Sequence, residues 1–338
     1  MKPLGWAIVG PGRIAHRFAA ALAGLPATAL VGVHGRDEQR ALAFARQWAR
    51  PGGPAARVAP DLATLLAQPD VDAVYIATPH SLHGSAVHAC LLAGKPVLCE
   101  KPLVPSLAQA QALVALAQER QVFLMEAMWT RFLPVYDQVG DWLREQAIGP
   151  LRGLQSSFCL ATPFDATSRL FDPALAGGAL LDIGIYNLSM TRWVLQQALG
   201  ECPPLQGLHA QGRLAPTGVD QRVAATLDFG QGLVSQFVCG FDGTADNGLR
   251  IFGERGHIEV PQQFWQATQA LLHRDGEAPL SVEAPLAING FEGEITEAMR
   301  CIRAGAVQSP LMPHRETLAT MGWLDRLRQA VGVRYPGA

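Results

Sequence analysis

The sequence predicts an α/β chain: a doubly wound parallel sheet followed by an α+β domain with an open, mostly antiparallel sheet. Three observations carry this. Over the first 125 residues, short and wholly apolar strands alternate with helices, which is the pattern of a parallel sheet covered on both faces. The first strand runs into the first helix through a glycine turn, Gly10-Pro11-Gly12-Arg13-Ile14-Ala15. Beyond Glu126 the strands alternate apolar and polar residues, as a sheet with one packed face does. At 338 residues the chain is long for one core, and the expected division is 1–125 and 126–338.

Taken in order, residues 5–10 are an apolar strand. Residues 13–24 keep helical spacing through Ile14, Phe18, Ala21 and Leu22 until Gly24 and Pro26 stop them. Residues 28–34 are β-branched and apolar, a second strand, after which Asp37 can cap a helix through Trp48. A Pro/Gly-rich loop spans 51–54. A short strand near 56–58, a helix over 61–67 and a strong strand over 73–77 come next. A helix over 84–93 is closed by Gly94. The strand 96–99, a helix over 106–120 and a strand over 122–125 complete the first domain. In the second, 134–147 reads as helix, and 151–160, 206–214, 221–229 and 232–241 read as strands. One long helical segment covers roughly 178–198, and helices over 291–304 and 314–331 close the chain, the last placed to pack back on the first domain.

Composition narrows the function. The chain is 49% hydrophobic and 17% charged, with a net charge of −2, so no basic field is available to hold nucleic acid or an anionic membrane. No apolar run reaches the roughly 18 residues of a membrane span, and the N-terminus enters a strand without the apolar core of a signal peptide. The six cysteines (Cys90, Cys99, Cys159, Cys202, Cys239, Cys301) show no C-x-x-C spacing, so neither a zinc site nor a disulfide framework is expected. A cytoplasmic protein with a small-molecule substrate is the plain reading, and no metal is expected.

The glycine turn fits G-x-G-x-x-(G/A) with a strand before it and a helix after it. Gly10 makes the turn, Gly12 lets the backbone approach a pyrophosphate, and Ala15 packs helix on strand, while the helix N-terminus supplies donors. The competing reading is an ordinary strand–helix loop. At the end of the second strand, where NAD enzymes usually carry an acid for the ribose 2′-hydroxyl, this chain has Val33-His34-Gly35-Arg36-Asp37. Arg36 can pair with a 2′-phosphate, which favours NADP, with NAD the alternative. Thr78 and Pro79 follow the fourth strand, at the point where a doubly wound sheet reverses strand order and binds ligands. The Thr78 hydroxyl can reach a cofactor there, and His83 is either a cofactor contact or a helix-start residue.

Lys101 ends a strand of the sheet half that faces the nicotinamide, and its bond to Pro102 is open to a cis form. Desolvation and a nearby cationic ring would lower its pKa and let it join a proton relay; the competing reading is a charge emerging into water. Asp182 and Tyr186, four apart on a helix and so on one face, are a candidate acid/base pair. Against that stands a core tyrosine with its hydroxyl satisfied.

These stretches resemble the Gfo/Idh/MocA oxidoreductases, and within them the dimeric dihydrodiol dehydrogenase and NADP-dependent D-xylose dehydrogenase branch. The matching strings are Gly10–Ala15, Cys99–Leu103, Met125–Phe132 (the E-A-x-W-x-R-F string), Gly177–Tyr186 and Ser309–His314, which together span nearly the whole chain. The resemblance implies a Rossmann domain followed by an open antiparallel sheet, with the active site between them. It carries the family lysine onto Lys101 and the family aspartate and tyrosine onto Asp182 and Tyr186. It also extends the cofactor-binding set to Gly10, Gly12, Arg13, Ile14, Arg36, Thr78, Pro79, His83, Glu100, Lys101, Trp129 and Arg131, with Trp129 as an aromatic wall of the substrate pocket. Pro11 departs from the family, which has Thr, Ala or Cys at that place. The expected activity is NADP-dependent hydride transfer between nicotinamide and a secondary hydroxyl of a sugar or cyclic trans-diol. Tyr186 would take the hydroxyl proton, helped by Lys101 and Asp182, because a tyrosine near pKa 10 is a poor base at pH 7. An NAD-linked polyol or inositol dehydrogenase, a biliverdin-reductase-like activity and a non-catalytic NAD(P)-binding regulator remain as alternatives. A homodimer through the exposed face of the second sheet is expected from the resemblance together with the alternating strands 221–229 and 232–241, since the face away from the helices needs cover if it is apolar.

Overall fold

A computed structural model describes residues 2–50 and 55–336; the expected loop over 51–54 lies outside the described residues. The chain divides into two compact units, residues 1–129 with 287–318, and residues 130–286 with 319–338.

The first unit is built on a six-stranded parallel sheet. Its strands are β1 (Leu4–Val9), β2 (Thr28–His34), β3 (Arg57–Val58), β4 (Ala73–Ile76), β5 (Val97–Glu100) and β6 (Leu124–Ala127). Their order, β3-β2-β1-β4-β5-β6, is the doubly wound one and puts the switch point between β1 and β4. Every residue of β1, β4, β5 and β6 is buried, as strands covered on both faces require. The helices are α1 (Arg13–Gly24), α2 (Glu38–Gln47), α3 (Leu62–Leu66), α4 (His80–Leu92) and α5 (Leu107–Arg120). Helix α1 buries Ala15, Phe18, Ala19, Ala21 and Leu22, one helical face. Asp37, Asp61 and Ser106 cap α2, α3 and α5 through their side chains. Helix α4 begins four residues earlier than its expected start at 84, directly at the end of β4.

The second unit carries α6 (Pro134–Arg144), β7 (Leu151–Cys159), α7 (Ile185–Leu199), β8 (Gly207–Leu214), β9 (Asp220–Asp228) and β10 (Val234–Gly240). It continues with β11 (Leu249–Gly253), β12 (Gly256–Val260), β13 (Gln269–Arg274) and β14 (Leu280–Glu283). The eight strands run in the order β14-β13-β12-β11-β7-β10-β9-β8. All neighbours are antiparallel except β7 and β10, which are parallel. Helix α7 packs on β7 and β10, and α6 packs on α7. On the packed face Val223, Ala225, Leu227, Phe237 and Cys239 are buried. The opposite face mixes polar residues, with Gln155, Thr226 and Gln236 around a shallow groove, and apolar ones such as Ala224 and Val238, so it is not the wholly apolar face that would need cover.

The first unit also takes in a later stretch of the chain, 287–318. Helix α8 (Glu292–Arg303) and the segment around it return to the first unit. Arg17 of α1 donates to the Asn289 carbonyl at 2.8 Å, and Asn289 Nδ2 donates back to the Arg17 carbonyl at 2.8 Å, a pairing across 272 positions that spacing cannot reveal. The start of α9 (His314–Val331) belongs there too: His314 Nε2 meets the Leu124 carbonyl at 2.9 Å, and the Thr317 hydroxyl donates to Glu126 at 2.9 Å.

Candidate active site

In the first unit the turn after β1 is a cradle. Gly10 has φ +90°, and a Cβ there would fall 2.8 Å from the backbone of Ala77 and Thr78, so only glycine lets β1 and β4 close up. A Cβ on Gly12 would meet nothing within 4 Å, and no side chain caps α1 at Gly12. Open space therefore lies above an uncapped helix N-terminus that begins with Arg13 and Ile14, which is how helices present amides to phosphates. Pro11 is buried, and Gly35 just after β2 is the residue that makes room for it: a Cβ on Gly35 would sit 2.6 Å from Pro11 Cδ.

The ends of β2 and β4 complete this cradle. Asp37 Oδ1 accepts from the Arg40 amide at 3.0 Å, so its carboxylate is committed to capping α2, and Arg36 stands exposed beside it. Thr78, followed by the half-buried Pro79, has a buried hydroxyl without a hydrogen-bond partner among the described residues. An orphaned hydroxyl at the switch point, an empty place beside Gly12 and an uncapped helix start fit a dinucleotide.

Three residues expected to touch the cofactor are buried and engaged by the chain itself. His83 is fully buried, with Nδ1 2.8 Å from the Pro102 carbonyl and Nε2 2.8 Å from the Thr78 carbonyl. Burial, with His80 nearby, pulls it down to about 4 against those two carbonyls. The neutral ring donates to only one of them. His83 is thus a strut between the ends of β4 and β5. Glu100 points into the unit: the Tyr75 hydroxyl donates to Oε1, and the Lys101 amide donates to Oε2 at 3.2 Å. It holds the backbone of Lys101, whose bond to Pro102 is cis. Trp129 is also buried, stacked on Phe291 with centroids 5.1 Å apart and covered by the Arg17 guanidinium at 4.7 Å, so it is a packing residue of the first unit. Glu126, in the same matching string, accepts from the Leu103 amide at 2.8 Å and steadies the loop that carries Lys101.

In the second unit, the segment leading into α7 is not plain α-helix. Residues Leu180–Gly184 form a π-helical turn, a local widening that often accompanies function. It carries Asp182, and Tyr186 follows on the first turn of α7; they are 8% and 7% exposed. Arg169 Nη1 pairs with Asp182 Oδ1 at 3.1 Å, and the Tyr186 ring lies against Phe158 at 5.6 Å. Gly184 allows the turn to approach β10, since a Cβ there would sit 2.8 Å from Cys239 Sγ. Beneath the turn, Asp220 accepts from the Leu180 amide at 2.5 Å. Gly178, at φ +117°, leaves room for that carboxylate, because a Cβ there would lie 2.2 Å from Asp220 Oδ1. Arg131, expected at the cofactor, is buried, with Nε and Nη2 donating to the hydroxyl and carbonyl of Ser189 at 3.0 Å each. It braces the Trp129–Phe132 turn against α7.

Sequence reasoning missed Arg169 and Asp220. The Gly177-Gly178 pair was the available signal for Asp220, since a glycine ahead of a helix often marks a close approach. Arg169 sits in an irregular loop and left no signal.

A family model described as the oxidoreductase family, NAD-binding Rossmann fold, matches residues 4–128, and one for the GFO/IDH/MocA C-terminal domain matches residues 136–259. The chain is 33% identical over 343 residues to a trans-1,2-dihydrobenzene-1,2-diol dehydrogenase of Xenopus laevis, covering 98% of this chain and 99% of that one. It is likewise 33% identical to the human protein of the same name over 341 residues, covering 98% of each. Among solved structures, a 3-ketoreductase from Actinomadura kijaniata in complex with NADP and TDP-benzene superposes with a TM-score of 0.84 at 27% identity, covering 98% of both chains.

Proposed function

The chain belongs to the Gfo/Idh/MocA oxidoreductases, and from that premise we propose that it is an NADP-dependent dehydrogenase acting on a secondary hydroxyl of a sugar or cyclic trans-diol. The names of its relatives support the substrate class: dihydrodiol dehydrogenases in sequence and a nucleotide-sugar ketoreductase in structure. Support for NADP comes from the end of β2, where the one acidic candidate is spent as a helix cap and Arg36 is exposed.

When bound, the nicotinamide accepts or returns the hydride. Gly10, Gly12 and the first amides of α1 hold the pyrophosphate, and the Thr78 hydroxyl gains the partner it lacks. Arg36 pairs with the 2′-phosphate. Lys101, held by Glu100 and the loop resting on Glu126, supplies a fixed positive charge at the carboxyl end of β5. Tyr186 takes the proton from the substrate hydroxyl in oxidation and returns it in reduction, with Asp182 held close by Arg169 as its acidic neighbour. The observation that carries this reading is Asp182 on the π-helical turn with Tyr186 on the first turn of α7 after it, in a chain whose cofactor cradle is intact.

The deciding experiment is a NADP⁺-reduction screen over aldoses, inositols and trans-diols, repeated with NAD⁺. The reading expects turnover with NADP⁺ on one of these classes. Turnover with NAD⁺ alone overturns the cofactor assignment, and no turnover with either overturns the reaction. We place the enzyme in a reducing, cytoplasmic compartment, because all six cysteines are free thiols. No helix among the described residues is long and apolar enough to cross a membrane.

A further inference from the structure

The outer face of the second unit's sheet carries three side chains whose donor atoms converge. His257 and Glu259 are two apart on β12, so they project from the same face. His273 on β13 is the direct cross-strand partner of His257. The alternate residues of β12, Ile258 and Val260, are fully buried on the packed side. One donor atom from each of His257, Glu259 and His273 lies within 4.8 Å of the others.

A second, independent observation concerns His273. Its Nε2 is shielded from solvent and has no hydrogen-bond partner. Glu259 Oε2 lies 3.6 Å away, beyond hydrogen-bond reach. Glu259 is held in that orientation from its other side, where Arg250 Nη2 pairs with Oε1 at 3.1 Å. A ring nitrogen of His273, a carboxylate oxygen of Glu259 and a second imidazole are therefore gathered within 4.8 Å, with no hydrogen bond between the first two.

We propose that His257, Glu259 and His273 bind one divalent transition-metal ion of the zinc class. Two imidazoles and a carboxylate suit Zn²⁺, and they are a poor set for Mg²⁺ or Ca²⁺, which take oxygen donors. Directly opposed residues of an antiparallel pair keep their Cβ atoms about 4.5–5.5 Å apart, and from there two imidazoles reach one ion at about 2.0–2.1 Å each. Water fills the fourth position on the open side. The rings of His257 and His273 stack at 4.3 Å with 7° between their planes, so their in-plane lone pairs run parallel. Binding turns one ring about its terminal torsion, which is a broad and soft one, and both rings are only partly buried. No short motif marks the site because the ligands come from two strands, and this reverses the expectation from cysteine spacing that no metal is held. The proposal stands apart from the catalytic reading, since none of the three residues belongs to it.

The test is calorimetric titration of Zn²⁺ into the full-length chain after chelator treatment. One equivalent should bind, and His257→Ala, His273→Ala and Glu259→Gln should each weaken binding by more than about 100-fold, beyond what loss of an outer partner costs. A Co²⁺ titration of the unsubstituted protein guards against a variant that fails to fold, because its absorption separates imidazole and carboxylate ligation from thiolate. Absence of saturable Zn²⁺ uptake, uptake indifferent to all three substitutions, or a sulfur-to-cobalt charge-transfer band would each overturn the proposal.

Discussion

Replacing Asp220 with asparagine should flatten the dependence of stability on pH between about 4 and 7. The carboxyl is fully buried. Its Oδ2 accepts the Leu180 amide hydrogen, and its Oδ1 has no hydrogen-bond partner among the described residues. Burial pushes it up from 3.8 to about 7, against the pull of backbone amides and Arg328. The folded chain must therefore take up a proton at pH values where the unfolded chain has lost it. The sign follows: the Asp220 contribution is fully present below pH 3.8, declines as pH rises, and is lost once pH passes about 7. A span of about three pH units at about 1.4 kcal/mol each sets a ceiling of about 4 kcal/mol. Asparagine cannot ionise, yet its carbonyl can still accept from the Leu180 amide. The assay is urea unfolding of both proteins at pH 4, 5, 6, 7 and 8, with unchanged m-values as the check that both unfold alike. Other buried groups raised in the folded state, such as Glu294, act on both proteins and drop out of the difference. The stability gap should shift in favour of the asparagine variant by up to about 4 kcal/mol between pH 4 and 8. Two parallel curves would show that Asp220 is already ionised in the folded chain and that its surroundings solvate it better than burial implies.

Tyr186→Phe removes only a hydroxyl and should lower kcat by about 10²–10⁴-fold while NADP affinity stays unchanged; near wild-type turnover in the folded variant would leave Lys101 as the main proton-handling candidate. Arg36→Ala should weaken NADP binding about 10–100-fold, the worth of a charge-assisted hydrogen bond, and leave NAD binding unaltered by calorimetry; an unchanged preference would remove Arg36 from cofactor selection.

Local pattern and tertiary contact divided the work of specifying this molecule unevenly. The doubly wound sheet was legible because wholly apolar strands and capped helices are local signals: Asp37 reads as a cap and acts as one. The strands β11 to β14 were not legible. They are short, half-buried, and interrupted by exposed polar residues such as Arg250 and Glu283, so their pairing is decided by register with β7 and with one another. The site residues divide along the same line. Glycines betray themselves, since Gly10 and Gly178 answer to backbone geometry that other residues adopt with strain. Charged and aromatic residues do not, because their chemistry serves ligand and scaffold equally well. Glu100, Trp129 and Arg131 stand in the matching motifs, and each is buried against other parts of the chain. A motif constrains a neighbourhood, so its residues include those that aim the chemistry as well as those that perform it. Exposure and hydrogen-bond commitment differ among them: Arg36 is exposed and the Thr78 hydroxyl lacks a partner among the described residues, whereas the buried His83 ring lies between two carbonyls of the chain itself and donates to one of them.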